Sequence, residues 1–342
     1  MRVRLRIALR LLRRGDNVTV MGKTLSRPGA GNLATGSAFG AWWKRARRDV
    51  LRNRYIYLML LPVLAYYLIF HYGPMYGAVI AFQDFNPLKG ILGSKWIGLE
   101  NFTDFFKSVF FVRLLRNTLF INLLDLFFGF PAPIILAVLL NELGWAPFKR
   151  LVQTVSYMPH FISVVVVVGM LVDFFARDGL INNLFRPFIA QPIAFLQSPD
   201  WFRPLFVGSG IWQHVGWASI IFLAAITNID PTLYEAAMVD GAGRFRQLLH
   251  ITLPGIMPTI VILLILRLGA MMTVGYEKII LMYNPLTYET ADVISTYVYR
   301  RGVLNTDYSF SAAVGLFNSV LNFALVVAAN TISRKVNETS LW

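Results

Sequence analysis

The sequence predicts an all-α membrane protein with six spanning helices and a helix–turn–helix elbow between the fourth and fifth spans. Three observations predict it. The 342 residues are 56% hydrophobic and 15% charged, with a mean hydropathy of +0.56, whereas a soluble domain carries about a quarter charged residues. The apolar residues gather in six blocks, at about 55–82, 118–140, 151–176, 205–227, 256–276 and 310–332. Each suffices for a bilayer crossing, which takes roughly 20 residues. The blocks are continuous rather than alternating, which favours helices over barrel strands. In lipid a helix satisfies its backbone within its own segment.

Residues 1–54 form a basic tail ahead of the first block. They hold fourteen Arg and Lys against Asp16 and Asp49, and so account for most of the net charge of +14. Such a flank suits the anionic cytoplasmic face of a membrane. No nucleic-acid-reading fold accompanies it. Residues 1–12 alternate Arg with Val, Leu and Ile, a pattern for a short amphipathic surface helix and a poor one for a signal peptide. The Gly- and Ser-rich stretch 29–40 reads as a flexible linker.

With the tail inside, the inner segments hold 20 of the 32 Arg and Lys. Both termini are therefore expected in the cytoplasm, with the spanning domain at 55–333 and a short inner tail at 334–342. The longest inner connection after the N-terminal tail is then 228–255, and a loop of that length is usually functional. Asp230 can cap a helix whose first turn begins at Pro231. The run from Leu233 to Val239 is a strong helix former. Gly241 and Gly243 permit a turn that side chains resist. A second amphipathic helix is expected over 245–251, after which Leu253-Pro254 redirects the chain into the fifth span. Small Ala236 and Ala237 allow a partner to approach closely.

The string Glu235-Ala236-Ala237, two residues, Asp240-Gly241-Ala242, then Ile251-Thr252-Leu253-Pro254 resembles the signature loop of permeases in bacterial ATP-binding-cassette importers. Every fixed position of that pattern is met, and the resemblance runs from about 55 to 330. Three further stretches, Tyr157-Met158-Pro159-His160-Phe161-Ile162-Ser163, Asn284 to Thr290 and Val314 to Ser319, resemble the polysaccharide branch near the maltose-type permeases. The resemblance implies the type I importer permease fold in a bacterial inner membrane, and import of oligosaccharides or polysaccharides. It implies a second permease subunit, a similar chain in a heterodimer with this one, two ATPase subunits that hold ATP and Mg, and an extracytoplasmic solute-binding protein. This chain itself would hold no cofactor. The loop would dock as a coupling helix in a groove of the ATPase. There Glu235 would face a basic residue, Ala236 and Ala237 would pack, and Gly241 would make the bend, with Asp240, Leu253 and Pro254 completing the set. The loops at 85–118 and 283–308 are expected to receive the binding protein. The signature is shared across cargo classes, so a permease for another solute such as peptides is an alternative. An ion-coupled secondary transporter is another, although it would favour several midspan carboxylates and only Asp125 and Asp173 are obvious candidates.

The sequence carries little sign of catalysis. It has no cysteine, which removes thiolate chemistry. Gly22-Lys23-Thr24 lacks the earlier glycine of a phosphate loop, since Asn17 stands there. The four histidines have no metal-ligand spacing, and no Gly-x-Ser-x-Gly elbow occurs.

An ionisable residue inside a span is a functional candidate because a charge there is costly. Arg267 lies about ten residues into the fifth block, or ~15 Å at helical rise. Arg267, Ala270, Met271 and Val274 would share one helical face, in the span that lines the sugar site in the maltose-type permeases. Gly210, His214 and Trp217, with Gln213 adjacent, form a second face on the fourth span, and Ser163 completes the ring from the third. Trp217 suits stacking on a pyranose, and Gln213 and His214 suit hydroxyls. Plainer roles compete: Trp217 and Met271 as packing residues, His214 as an interhelical donor, and Arg267 as a buried bridge to Asp125. An Arg267 that faces the path would point to an anionic sugar such as a uronate.

Overall fold

The computed structural model describes residues 47–337 apart from Ala190 and Val274, with side chains as far as Arg334. The expected surface helix at 1–12, the linker at 29–40 and residues 338–342 lie outside the described residues. The chain divides into two compact units, Met1–His71 and Tyr72–Trp342. In the first, helix α1 (Arg54–Tyr67) buries none of its residues.

The second unit opens with helical turns over Gly73–Met75 and Tyr76–Phe82, then a short hairpin, β1 (Gln83–Asp84) and β2 (Lys95–Trp96), antiparallel with Gln83 opposite Trp96. Helices α2 (Glu100–Lys107), α3 (Phe111–Glu142), α4 (Ala146–Tyr157), α5 (Val164–Phe175) and α6 (Pro199–Thr227) follow. The elbow helix α7 (Pro231–Val239) leads to α8 (Arg244–Gly269), then α9 (Tyr276–Met282), α10 (Ile294–Tyr299) and α11 (Tyr308–Asn337). Among the described residues, five helices are long and apolar enough to cross a membrane: Arg54–Phe82, α3, α6, α8 and Tyr308–Arg334.

The third apolar block differs from expectation. Instead of one helix over 151–176, the chain bends by 102° between Ala146–Phe161 and Val164–Phe185, and counts as a sixth crossing only as that bent pair. Pro159 begins the change. Proline has no N–H to continue the helix, and the last turn tightens to a 3-10 form over Met158–Phe161. Ser163 then starts α5, its side chain accepting the Val166 N–H.

The entry to the fifth span differs too. The separate helix expected at 245–251 is continuous with the span, and Leu253-Pro254 does not redirect the chain. A π turn over Leu248–Thr252 precedes Pro254 inside α8. A similar π turn, Asp125–Gly129, precedes Pro131 inside α3, with the Phe130 N–H donating to the Asp125 carbonyl at 3.0 Å. The wider turn accommodates a proline that an unbroken α-helical ladder would resist.

Packing concentrates in separate layers. One groups Ile121, Phe202, Ile279 and Val293. Another, nearer the elbow, groups Ala137, Phe222, Ile226 and Ile256. Between these layers lies the cavity described next.

Candidate functional site

A cavity of about 370 Å³ opens between α3, α6, the end of α8 and α9. Six of the expected path residues line it: Gly210, Gln213, His214, Arg267, Ala270 and Met271. They do not arrive there as expected. Helix α8 ends at Gly269, so Arg267, Ala270 and Met271 do not share a helical face. Ala270 to Thr273 form turns that wrap the same cavity. Helix α11 explains the early end. Asn322 accepts the Met272 N–H at 2.8 Å, and the Asn318 amide donates to the Met272 carbonyl at 3.2 Å. Side chains thus satisfy the backbone groups that another helical turn would have used. Gly269 permits the approach, since a Cβ there would lie 2.6 Å from Val326 Cγ2. Val274 lies outside the described residues.

Arg267 and Asp125 form an ion pair, and both face the cavity. The two roles weighed for Arg267, bridge and cavity residue, are therefore held together. Gly129, one turn beyond Asp125, leaves room for the carboxylate: a Cβ there would lie 2.5 Å from Asp125 Oδ1.

Lys278 is the cavity residue that hydropathy missed. It falls just beyond the fifth apolar block and reads as a loop lysine. In the structure it is buried, at 8% exposure. Its ammonium donates to the Phe206 carbonyl at 3.0 Å and sits 4.9 Å from the centre of the Phe206 ring. No carboxylate among the described residues pairs with it. Gly210 lies beside it, and a Cβ there would be in ordinary contact with Nζ at 3.6 Å. The available sequence signal was a lone cation followed by the apolar run Ile279 to Met282.

Ser163 and Trp217 are not among the residues lining the cavity. Ser163 caps α5. Trp217 lies parallel to the His160 ring at 4.7 Å. Gln213 reaches the cavity but spends its amide N–H on the Ile162 carbonyl at 2.9 Å. His214 faces His160, Nδ1 to Nδ1, at 3.2 Å. A Cβ on Gly216 would overlap the Ser156 carbonyl oxygen. Helix α6 therefore grips the bend between α4 and α5 with Gln213, His214, Gly216 and Trp217.

The elbow forms as its local chemistry predicts at most positions. Asp230 accepts the Thr232 N–H at 2.9 Å, and Pro231 occupies the first turn of α7. That backbone hydrogen bond holds the Asp230 carboxyl below its ordinary pKa. Gly241 has φ +74°, whereas Gly243 at φ −67° has an ordinary backbone. Glu235, Ala236 and Asp240 are exposed, and Ala237 is half-buried. Glu235 has no ion-pair partner among the described residues. Leu253 packs into the layer of Ile226 and Ile256, while Pro254 is exposed. Tyr234 and Thr252 share a hydroxyl hydrogen bond of 2.9 Å, which ties α7 to the start of the fifth span. Beside them Val239 and Phe245 stand 88% and 73% exposed, leaving apolar surface for a partner to cover.

Comparison with known proteins places relatives of this chain in one family. Residues 129–338 match the family described as binding-protein-dependent transport system inner membrane component. Protein LplB of Bacillus subtilis is 48% identical over 304 residues, covering 89% of this chain and 95% of the relative. The polygalacturonan/rhamnogalacturonan transport system permease protein YteP of Bacillus subtilis is 47% identical over 300 residues, covering 87% of this chain and 94% of the relative. A chain in the crystal structure of a bacterial ABC transporter involved in import of the acidic polysaccharide alginate superposes with TM-score 0.80 at 45% identity. That match covers 86% of this chain and 99% of that one.

Proposed function

The chain belongs to the binding-protein-dependent transport system inner membrane component family, and we propose that it is one permease subunit of an ATP-driven importer whose cargo is an acidic oligosaccharide. It is a transport subunit rather than an enzyme. ATP and Mg belong to two partner ATPases, which engage the elbow from Glu235 to Pro254. A second permease subunit completes the pathway, and a solute-binding protein delivers cargo to the loops at 85–118 and 283–308. Both termini face the cytoplasm. The family membership removes the ion-coupled alternative, and the sugar-transporting relatives support the cargo class over peptides.

The observation that carries the acidic cargo is Lys278. A buried ammonium normally has a carboxylate partner, because taking a lone charge out of water is costly. Lys278 has a carbonyl and an aromatic face instead, on the wall of a cavity that also holds Arg267. A uronate carboxylate would supply the missing anion, and the hydroxyls of the same ring would find Gln213 and His214. The exposed face of the elbow, with Glu235, Val239 and Phe245 outward, suits an ATPase groove.

The test uses the complete transporter in proteoliposomes, with its binding protein loaded in turn with uronic and neutral oligosaccharides of equal length. A charge-assisted hydrogen bond contributes about 1.5–3 kcal/mol, or roughly tenfold to hundredfold in affinity. Lys278→Met should therefore weaken uronate-stimulated ATPase activity by at least about tenfold and leave any neutral response in place. Equal stimulation of the wild type by neutral sugars, with no change in Lys278→Met, would exclude an acidic cargo.

A further inference from the structure

A second cavity, of about 430 Å³, lies beside the first. The two share Asp125, Gly210, His214, Arg267 and Ala270 in their walls. The rest of the second cavity is apolar, with Phe130, Val215, Phe222, Leu263 and Leu266 among its lining. It lies on the elbow side of the shared residues. Along α6, which runs toward the elbow, Val215 and Phe222 follow Gly210 and His214. Along α8, which runs away from it, Leu263 and Leu266 precede Arg267. Along α3, Phe130 and Pro133 follow Asp125 toward Glu142, whose carboxylate faces Arg244 at 4.0 Å. The partition between a polar cavity and an apolar one nearer the elbow thus carries a single ion pair, Asp125 with Arg267.

Resting on the reading of these cavities as the cargo path, we propose that this ion pair is an anion-exchange gate, with Asp125 as a specificity-determining residue. A carboxylate on the cargo replaces Asp125 on Arg267, and the freed Asp125 side chain clears the partition. The exchange keeps a carboxylate on the guanidinium but leaves Asp125 without its cation, a cost that its partial exposure to the cavity reduces. A neutral sugar offers no such replacement and leaves the pair closed. The exposure of the pair fits exchange: the Arg267 side chain is 53% exposed and that of Asp125 23%, so an entering anion can reach the guanidinium. Asp125 also begins the π turn of α3, a feature frequent at functional sites. Gly129 supplies the space in which its carboxylate sits.

The test measures uptake of uronic and neutral oligosaccharides of equal length, and cargo-free ATPase activity, in the complete reconstituted transporter. Asp125→Asn keeps the side-chain size and removes the competing carboxylate. It should lower the preference for uronic over neutral cargo on the order of tenfold and raise cargo-free ATPase activity. Asp125→Glu, which restores a carboxylate, should recover discrimination. Gly129→Ala, which crowds the Asp125 carboxylate without changing charge, should move selectivity in the direction of Asp125→Asn. Wild-type selectivity in both Asp125→Asn and Gly129→Ala overturns the gate. If Asp125→Asn fails to assemble, Gly129→Ala decides alone by the same criterion. A wild type that takes up uronic cargo normally while the variants match it sinks the gate only. A wild type that responds to no oligosaccharide sinks the cargo reading as well.

Discussion

The elbow and the cavity wall are built in opposite ways. The elbow takes its shape from neighbours in sequence: Asp230 caps two residues on, Pro231 starts the turn, and Gly241 ends it. Its surface is left open. The cavity wall takes its shape from distant residues. Arg267 meets Asp125 across 142 positions, Gln213 meets Ile162 across 51, and Met272 meets Asn322 across 50. A region proposed to receive another chain is locally specified and outwardly unsatisfied. A region that must hold one cavity geometry is specified by the whole fold. Substitutions should therefore fail differently in the two places.

The largest effect is expected where the wall is tightest. At Gly216 any side chain would meet the Ser156 carbonyl and lie 2.9 Å from the Tyr157 nitrogen. These are backbone atoms that cannot rotate away. Gly216→Val should cost about 3 kcal/mol or more, and should abolish the monodisperse complex on size-exclusion chromatography in mild detergent. A stable, active Gly216→Val complex would show that α6 does not grip the bend as described.

The elbow counterpart is Gly241→Val. At φ +74° a β-branched residue is strained by about 1–3 kcal/mol, but the strain falls on an exposed turn. The complex should assemble and keep its thermal midpoint within a few degrees, while binding-protein-stimulated ATPase activity falls to the basal level. Loss of assembly here would erase the contrast between the two regions.

How much of this was legible follows the same division. Asp230, Pro231 and Gly241 could be read because their partners lie within a few residues, so residue type alone carries the geometry. Gly243 was over-read for the same reason, since a glycine in a turn need not have a positive φ. The bend at Ile162 and Ser163 was hidden because hydropathy sums over a window, and the valine run after Ser163 outweighs Pro159 and the polar residues beside it. The end of α8 at Gly269 was hidden because Asn318 and Asn322 decide it from another helix. Lys278 was hidden because burial is a property of the fold. Asp125 and Arg267 were visible as costly charges inside apolar blocks, and only the structure shows them paired and facing a cavity together.

A smaller effect tests the wall's long-range bonds. Gln213→Leu removes the donor that reaches the half-buried bend and leaves the Ile162 carbonyl without it. A fully buried acceptor left unsatisfied costs about 1–3 kcal/mol, and the half-buried Ile162 carbonyl should cost toward the lower end. Amide exchange at Val164 to Val168 should accelerate, because the start of α5 loses its tether to α6. Exchange in α7 should not change, since nothing local to the elbow has been altered.

The smallest effect belongs to the elbow's cap and depends on pH. The Asp230 carboxyl is held below its ordinary pKa of 3.8, first by the backbone hydrogen bond from Thr232. A carboxylate with a depressed pKa binds fewer protons when the helix is formed than when it is open. Its stabilisation is therefore fully present above the ordinary value and is lost as pH falls through the depressed one. Protection of the Thr232 amide, corrected for intrinsic exchange, should stay constant from neutral pH down to about pH 4 and then decline. Asp230→Ala should show the low level throughout. Because the group is solvent-exposed, the change should remain confined to the first turn of α7, with no shift in the protection of α6 or α8. A decline that spread to those helices would mean the elbow is not the locally built unit its sequence describes, and that its shape depends on the membrane domain after all.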